Sequence, residues 1–201
     1  MEDLRRKVRE HRVPLEVCII VDNSYSLQAD RMVEKAKGLA FALLEDAVGR
    51  RDRVSLVAFK AGVPAATVAL RPTSSVRVAA ACLRDVPLSG RTPFAHALHC
   101  SGRLLRQEGV KRPNAKPVVV VISDGLPNVP RRRGGDPVAD SIAEARALGR
   151  RGVRLVFIDA IPPGRESESC GPAVVAASGG VHLPMADVSA AVFLDMLDGV
   201  A

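Results

Sequence analysis

Residues 22 to 26, Asp-Asn-Ser-Tyr-Ser, place one carboxylate and two hydroxyls at alternate positions directly after the apolar run VCIIV. In an extended segment every second side chain points the same way, so Asp22, Ser24 and Ser26 share a face. Taken alone, the triplet is explained by capping or a turn, because Asp and Ser favour those positions. Two further features change the weighing. Asp124 ends a second apolar run, VVVVISD, and Thr92 stands between the two runs in the loop LSGRTPF, where a helical stretch begins. In open α/β sheets, ligand sites lie beyond the carboxyl ends of the strands, near the point where strand order reverses. If the strands ending at Asp22 and Asp124 are neighbours, then Asp22, Ser24, Ser26, Thr92 and Asp124 converge at one edge. All five offer only oxygen. Such a set, with two carboxylates, suits a hard cation, Mg2+ above all or Mn2+. Mg2+ takes six oxygens at about 2.0–2.1 Å and keeps several waters. Hydroxyls can fill that shell without over-neutralising the ion, and an acidic group from a partner can complete it.

The elements that must position these residues follow from hydrophobic periodicity. Residues 1 to 12 have helical spacing with charges on most faces and form a peripheral lead-in helix. PLEVCIIVD is a short β-branched run, a buried strand. The stretch 29–49 repeats apolar residues at helical spacing and closes on Gly49. DRVSLVAFK and PAATVALR are the second and third strands, the third at an edge because of its proline. SVRVAAACLRDV is helical, as is TPFAHALHCSGRLLRQEG with Pro93 at an early position. KPVVVVISDG is the most uniform strand. DPVADSIAEARALGRRG is a helix ending at Gly152, and VRLVFIDA a further strand. A short helix near GPAVVAAS, a small strand near GGVHLP and a last helix from about Asp187 complete the chain. Strands alternating with helices indicate an α/β fold, a parallel sheet of six strands covered on both faces. The expected organisation is the lead-in helix at 1–12 and a single domain over 13–201. The loop PNVPRRRGGD at 127–136 reads as exposed and mobile, either a functional loop or a tolerated insertion.

Composition narrows the function classes. No apolar run approaches roughly 18 residues, so no membrane span is expected. The N-terminus is charged throughout and lacks the apolar centre of a secretory signal, which makes a cytoplasmic location the expectation. Four scattered cysteines, none in a C-x-x-C pair, argue against a disulfide or structural metal framework. A net charge of +7 fits nucleic acid, an acidic protein surface, or a solvated arginine-rich exterior. Aromatic residues make up 3% of the chain, with no tryptophan, so stacking platforms for single-stranded nucleic acid are mostly missing. HALHC tempts a zinc reading, but His96 and Cys100 have no further Cys or His at zinc-site spacing, and packing explains them better.

D-x-S-x-S at 22–26, G-x-T-P at 90–93 and S-D-G at 123–125 resemble the metal-ion-dependent adhesion site of von Willebrand factor A domains. The wider text, DLRRKVREHRV, RMVEKAKG, RRDRVSLVAFK, RPTSSV, TPFAHAL and SDGLPN, resembles the C-terminal A domain of the magnesium-chelatase D subunit and its cobalt-chelatase relatives. The resemblance implies a doubly wound, mostly parallel sheet with one short antiparallel edge strand. It implies Asp22, Ser24, Ser26, Thr92 and Asp124 as the site for Mg2+ or Mn2+, with hydroxyl ligands and acids acting directly or through water. It also implies metal-dependent binding to a partner in a complex that contains an AAA+ ATPase ring and a large porphyrin-binding chelatase subunit. The family usually has a small residue where Tyr25 stands and often methionine where Leu27 stands. The ATPase-like region and acidic linker of a chelatase D subunit are not in this sequence, nor is a G-x-x-x-x-G-K-[ST] phosphate loop.

The leading expectation is a metal-dependent interaction module, non-catalytic by itself, with Tyr25 on the rim and Arg91 meeting an acidic partner. Arg131, Arg132 and Arg133 are further candidates for that contact or simply solvated. Two other classes remain. A metal-dependent phosphohydrolase would use Asp22 as nucleophile, but Ser24 stands where its acid/base aspartate belongs and no activating lysine is evident. A basic RNA-binding A domain is the third.

Overall fold

A strand covered by helices on both faces reads as a near-continuous apolar run, and β1 (Leu15–Val21) is buried along its whole length, with Glu16 the one acid in it. The computed structural model describes residues 13–24, 52–60, 65–87 and 89–189, with the isolated positions 38, 40–42, 45, 63 and 192. The strands β2 (Arg53–Phe59), β3 (Ala66–Thr73), β4 (Lys116–Ser123), β5 (Arg154–Asp159) and β6 (Val181–Pro184) join β1 in one six-stranded sheet of order β3-β2-β1-β4-β5-β6. All neighbouring pairs are parallel except β2 and β3. The chain starts in the middle, winds to one side through β2 and β3, and then crosses to β4 on the other side of β1. Strand order therefore reverses between β1 and β4, where Val17, Ile19 and Val21 stand opposite Val118, Val120 and Ile122.

Four helices have described boundaries: α1 (Val76–Arg84), α2 (Phe94–Lys111), α3 (Pro137–Gly149) and α4 (Gly171–Ser178). The period of two splits the sheet between two cores. Leu15, Val17, Ile19 and Val21 meet Ala79 and Leu83 of α1, whereas Cys18, Ile20, Val119 and Val121 meet Phe94, Leu98 and Leu105 of α2 and Leu148 of α3. Described positions between 38 and 45 are helical, and Ala40 joins the first core. The lead-in helix expected at 1–12 and most of the helix expected at 29–49 fall outside the described residues.

Local chemistry fixes the ends. Ser75 caps α1 by accepting from the Val78 amide, and Asp136 caps α3 by accepting from the Val138 amide at 2.8 Å, with Pro137 beginning that helix. The helix expected to reach Gly152 stops at Gly149 instead. A Cβ at 149 would sit 2.3 Å from the Ser178 carbonyl oxygen, so the two helix ends close on each other there, and Gly152 (φ 71°) turns the chain into β5. β3 runs two residues later than expected. It lies at the antiparallel edge, with shifts of register against β2 and Pro72 near its end. After β6 a single 3-10 turn (Met185–Asp187) follows, and the last helix expected from Asp187 lies almost wholly outside the described residues.

At the amino ends of the strands, Arg112 pairs with buried Glu16 at 3.0 Å, and Glu108 accepts from Arg53 at 3.1 Å and Lys111 at 2.7 Å. These pairs pin the end of α2 to β1 and β2. The four cysteines are free, and burial pushes the Cys18 thiol up to about 12, as befits a core residue. Among the described residues no helix is long and apolar enough to cross a membrane.

Candidate metal centre

The carboxyl ends of β1 and β4 lie side by side at the reversal of strand order, so Asp22 and Asp124 open onto the same edge. Both are buried, at 0% and 2% exposure. The Asp22 amide donates to Ile122 at 2.9 Å and prolongs the β1–β4 ladder by one residue. Its carboxylate is then fixed from two directions. The Ser24 amide donates to Oδ1 at 2.9 Å, and the Ser123 hydroxyl donates to Oδ2 at 2.6 Å. Ser123 in turn accepts from the Gly125 amide at 3.1 Å, and Asp124 Oδ1 accepts from the Leu126 amide at 3.1 Å. Each acid thus closes a tight turn with the backbone two residues on.

Thr92 comes from the loop before α2 and is 2% exposed. Its amide donates to Asn128 Oδ1 at 2.8 Å, and the Asn128 amide donates to the Thr92 carbonyl at 3.3 Å. Asn23 holds the third side. Its side chain accepts from the Phe59 amide and donates to the carbonyls of Phe59 and Pro87, and its own carbonyl accepts from the Ser89 amide at 2.7 Å. This ties the 22–24 segment to the loop that carries Thr92, and Ser24 and Ser89 form a parallel bridge there. Ser24, Thr92, Gly125, Asn128 and Glu168 line an open cleft of about 420 Å³.

Burial, and then the charge of Asp124, push the Asp22 carboxyl up to about 6, against the pull of the Ser123 and Ser24 hydrogen bonds. Two buried carboxylates, beside hydroxyls, and with no cationic side chain among the described residues lining the cleft, make a donor set that fits a hard divalent cation. Among the described residues no three His, Cys, Asp or Glu side chains form a metal cluster, so a cation here depends on hydroxyl oxygen and water to fill its shell.

Of the residues singled out from sequence, Asp22, Ser24, Thr92 and Asp124 come together at this edge, while Ser26 and Tyr25 lie outside the described residues. Arg91, Arg132 and Arg133 are exposed. The Arg131 guanidinium is engaged by Glu144 of α3, and its amide donates to Asp140 at 2.7 Å. The loop at 127–136 is exposed for the most part, with Asn128 near its start held to Thr92 and Arg131 at its middle held to Asp140 and Glu144. In HALHC, His96 Nδ1 accepts from the Ala66 amide at 2.9 Å, and His99 faces Glu144 at 3.3 Å. Those contacts brace α2 against β3 and α3. Sequence reasoning passed over Asn23, Ser123 and Asn128 as orienting groups. Ser123 stood in view in S-D-G, but nothing in the spacing ties Asn128 to Thr92.

The chain belongs to the von Willebrand factor type A domain family, whose sequence pattern matches residues 17–126. Its similarity to the uncharacterized protein Rv2850c of Mycobacterium tuberculosis is 34% identity over 158 residues, 79% of this chain but 24% of that protein. The uncharacterized protein MJ0910 of Methanocaldococcus jannaschii is 34% identical over 67% of this chain and 75% of its own length. The magnesium-chelatase 67 kDa subunit of Chlorobaculum tepidum is 38% identical over 60% of this chain and 19% of that subunit. The chain thus spans about a quarter or less of Rv2850c and of this chelatase subunit. The crystal structure of the conserved hypothetical protein BatB from Bacteroides thetaiotaomicron shares the fold, with a TM-score of 0.68 at 20% identity over 92% of this chain and 97% of that one.

Proposed function

We propose that this chain is a Mg2+-dependent protein-interaction module, without catalysis of its own, in a magnesium- or cobalt-chelatase-like or other AAA+-linked complex. The observation that carries this reading is two buried carboxylates, Asp22 and Asp124, at the reversal of strand order, where Ser24 and Thr92 line an open cleft. The similarity to the magnesium-chelatase 67 kDa subunit supports the assignment of the complex. Asp22, Ser24, Ser26, Thr92 and Asp124 hold the cation, Mg2+ or Mn2+. When bound, it supplies a coordination position that a partner's carboxylate can take. Ser123 and the Ser24 amide hold the Asp22 carboxylate in one orientation, and Asn128 fixes the loop of Thr92. Arg91, Arg132 and Arg133, with the net charge of +7, steer an acidic partner surface toward the cleft, and Tyr25 is assigned to the same partner contact. Arg131 serves this role less directly, through its grip on α3. The partner is an AAA+ ATPase subunit, a large chelatase subunit, or both.

A phosphohydrolase built on Asp22 is less well supported. Both oxygens of that carboxylate already accept hydrogen bonds, which lowers its reach as a nucleophile, and Ser24 occupies the acid/base position. The test is co-purification with an AAA+ ATPase subunit. Retention should require Mg2+ and fail for Asp22→Ala. Retention that survives EDTA would overturn the reading.

A further inference from the structure

A second pocket opens on the same edge of the sheet, beyond the carboxyl ends of β5 and β6. It encloses about 530 Å³ between Ile161, Pro163, Pro172, Pro184, Met185 and Ala186, with His182 at its base and Glu166 on its rim. Its walls are apolar, and three of them are prolines, so the cavity is formed in advance. The imidazole at the base is held on every side. His182 Nε2–H donates to Asp159 Oδ2 at 2.8 Å, and the ring stacks on Phe157 at 5.8 Å between centroids. The carboxylate is itself immobilised, because Ser169 Oγ donates to the same oxygen at 2.6 Å and the Ile161 amide donates to Oδ1 at 3.0 Å. A Cβ at Gly171 would lie 2.9 Å from both Asp159 Oδ2 and His182 Nε2, so no other residue fits behind the pair. With Nε2 given to the carboxylate, Nδ1 is the ring's remaining polar atom. It makes no hydrogen bond to any described residue. A preformed apolar pocket with one oriented polar group has the form of a binding site.

Its occupant follows from these features and from what lies beside it. Besides His182, the polar groups that line the pocket are the Asp159 and Glu166 carboxylates, which accept hydrogen bonds, so the guest must bring a donor. The volume and apolar walls call for a large flat side chain. Tryptophan and tyrosine meet both demands and are the side chains that anchor protein interfaces most often. The turn Glu166–Glu168 separates this pocket from the metal cleft, Glu166 lining one and Glu168 the other. Adjacent strands are about 4.8 Å apart, which puts the β5–β6 midpoint about 10 Å from the β1–β4 midpoint where the metal cleft opens. An extended peptide advances about 3.3–3.6 Å per residue and covers that span in about three residues.

We propose that this pocket receives an aromatic side chain bearing a hydrogen-bond donor, set about three residues from the carboxylate that the partner offers to the metal cleft. The spacing rests on the metal-dependent reading above, whereas the pocket and its preference for a donor-bearing ring stand without it.

The chain contains no tryptophan, so the emission of a tryptophan probe reports its own burial. The probe is the capped peptide acetyl-Glu-Gly-Gly-Trp-amide, titrated with the folded chain in Mg2+, alongside the peptide with Gln in place of Glu. The expected result is a saturable blue shift with the Glu peptide. His182→Phe, which keeps the stack on Phe157 but removes the ring nitrogens, should weaken it about threefold to tenfold. Ala186→Arg, at an exposed position on the pocket mouth, should remove the shift with the thermal melt unchanged. Glu-dependent, Mg2+-dependent binding with no blue shift and no response to either variant would overturn the pocket and leave the metal reading intact. A blue shift that Ala186→Arg removes but that ignores Mg2+ and the Glu-to-Gln change would overturn the metal reading and the spacing while leaving the pocket. Absence of binding by both peptides would overturn the proposal.

Discussion

Replacing Asp22 by asparagine should stabilise the metal-free protein at neutral pH, although it removes a residue assigned to the site. The Asp22 carboxyl sits at about 6 in the folded chain against an ordinary value of 3.8. A group raised by folding contributes its full stability below the unfolded value and loses it as pH climbs through the folded one. Between about pH 4 and pH 7, ionising Asp22 therefore costs the folded state stability, on the order of 3 kcal/mol at 1.36 kcal/mol per pH unit. Asparagine keeps the shape, can accept from the Ser24 amide and can donate to the Ser123 hydroxyl, whose own hydrogen is free to turn away. Each 1 kcal/mol moves the midpoint of a domain this size by roughly 2–4 °C. In EDTA at pH 8, D22N should melt roughly 6–12 °C above the parent. The gap should close as pH falls to 4, because the parent's own acid is then protonated. Other groups titrate over the same range, so the difference between the two proteins is the quantity to follow, by circular dichroism. Saturating Mg2+ should raise the parent and leave D22N unmoved. A D22N protein less stable than the parent in EDTA at pH 8, or a gap that does not vary with pH, would refute the reasoning.

Asn128→Ala should leave the Thr92 amide without its acceptor and weaken Mg2+ binding by about tenfold, read by calorimetric titration, with little change in the melt. At Gly125 φ is 69° and a Cβ would come 2.2 Å from Ser169 Oγ, so Gly125→Ala should cost about 2 kcal/mol or more in urea unfolding and weaken metal binding with it. Arg112→Leu should destabilise the chain by about 3 kcal/mol, because buried Glu16 loses its hydrogen-bonded cation and keeps only the more distant charge of Arg53, and Glu16→Gln in that background should recover most of the loss. Equal stabilities for the single and double variants would show that the pair does not matter.

Much of the fold was legible because it depends on patterns that strands and helices impose by themselves. β1 and β4 carry the apolar runs VCIIV and VVVVI since both faces are covered there, and each strand ends beside the acid that begins its loop. Proline marked the sheet edge where β3 lies. The end of α3 was misplaced because glycine at 149 is demanded by a carbonyl of α4, a contact that no local pattern encodes. The convergence of Asp22, Thr92 and Asp124 could be anticipated from strand ends alone, but their orientation could not. Ser123 reaches Asp22 across two strands, and Asn128 and Asn23 act through backbone groups that are distant in sequence. The pocket at His182 left no trace in the sequence, as its parts come from four separate segments and carry no spacing.

The account stands or falls on whether Asp22, Ser24, Ser26, Thr92 and Asp124 hold one divalent cation. Electron paramagnetic resonance of Mn2+ titrated into the purified chain measures this directly, because bound ion loses the sharp signal of the free ion. One Mn2+ per chain, displaced by Mg2+ and lost in both Asp124→Ala and Thr92→Ala, is the predicted result. Unchanged binding in those variants, or none in the parent at millimolar Mn2+, would contradict it.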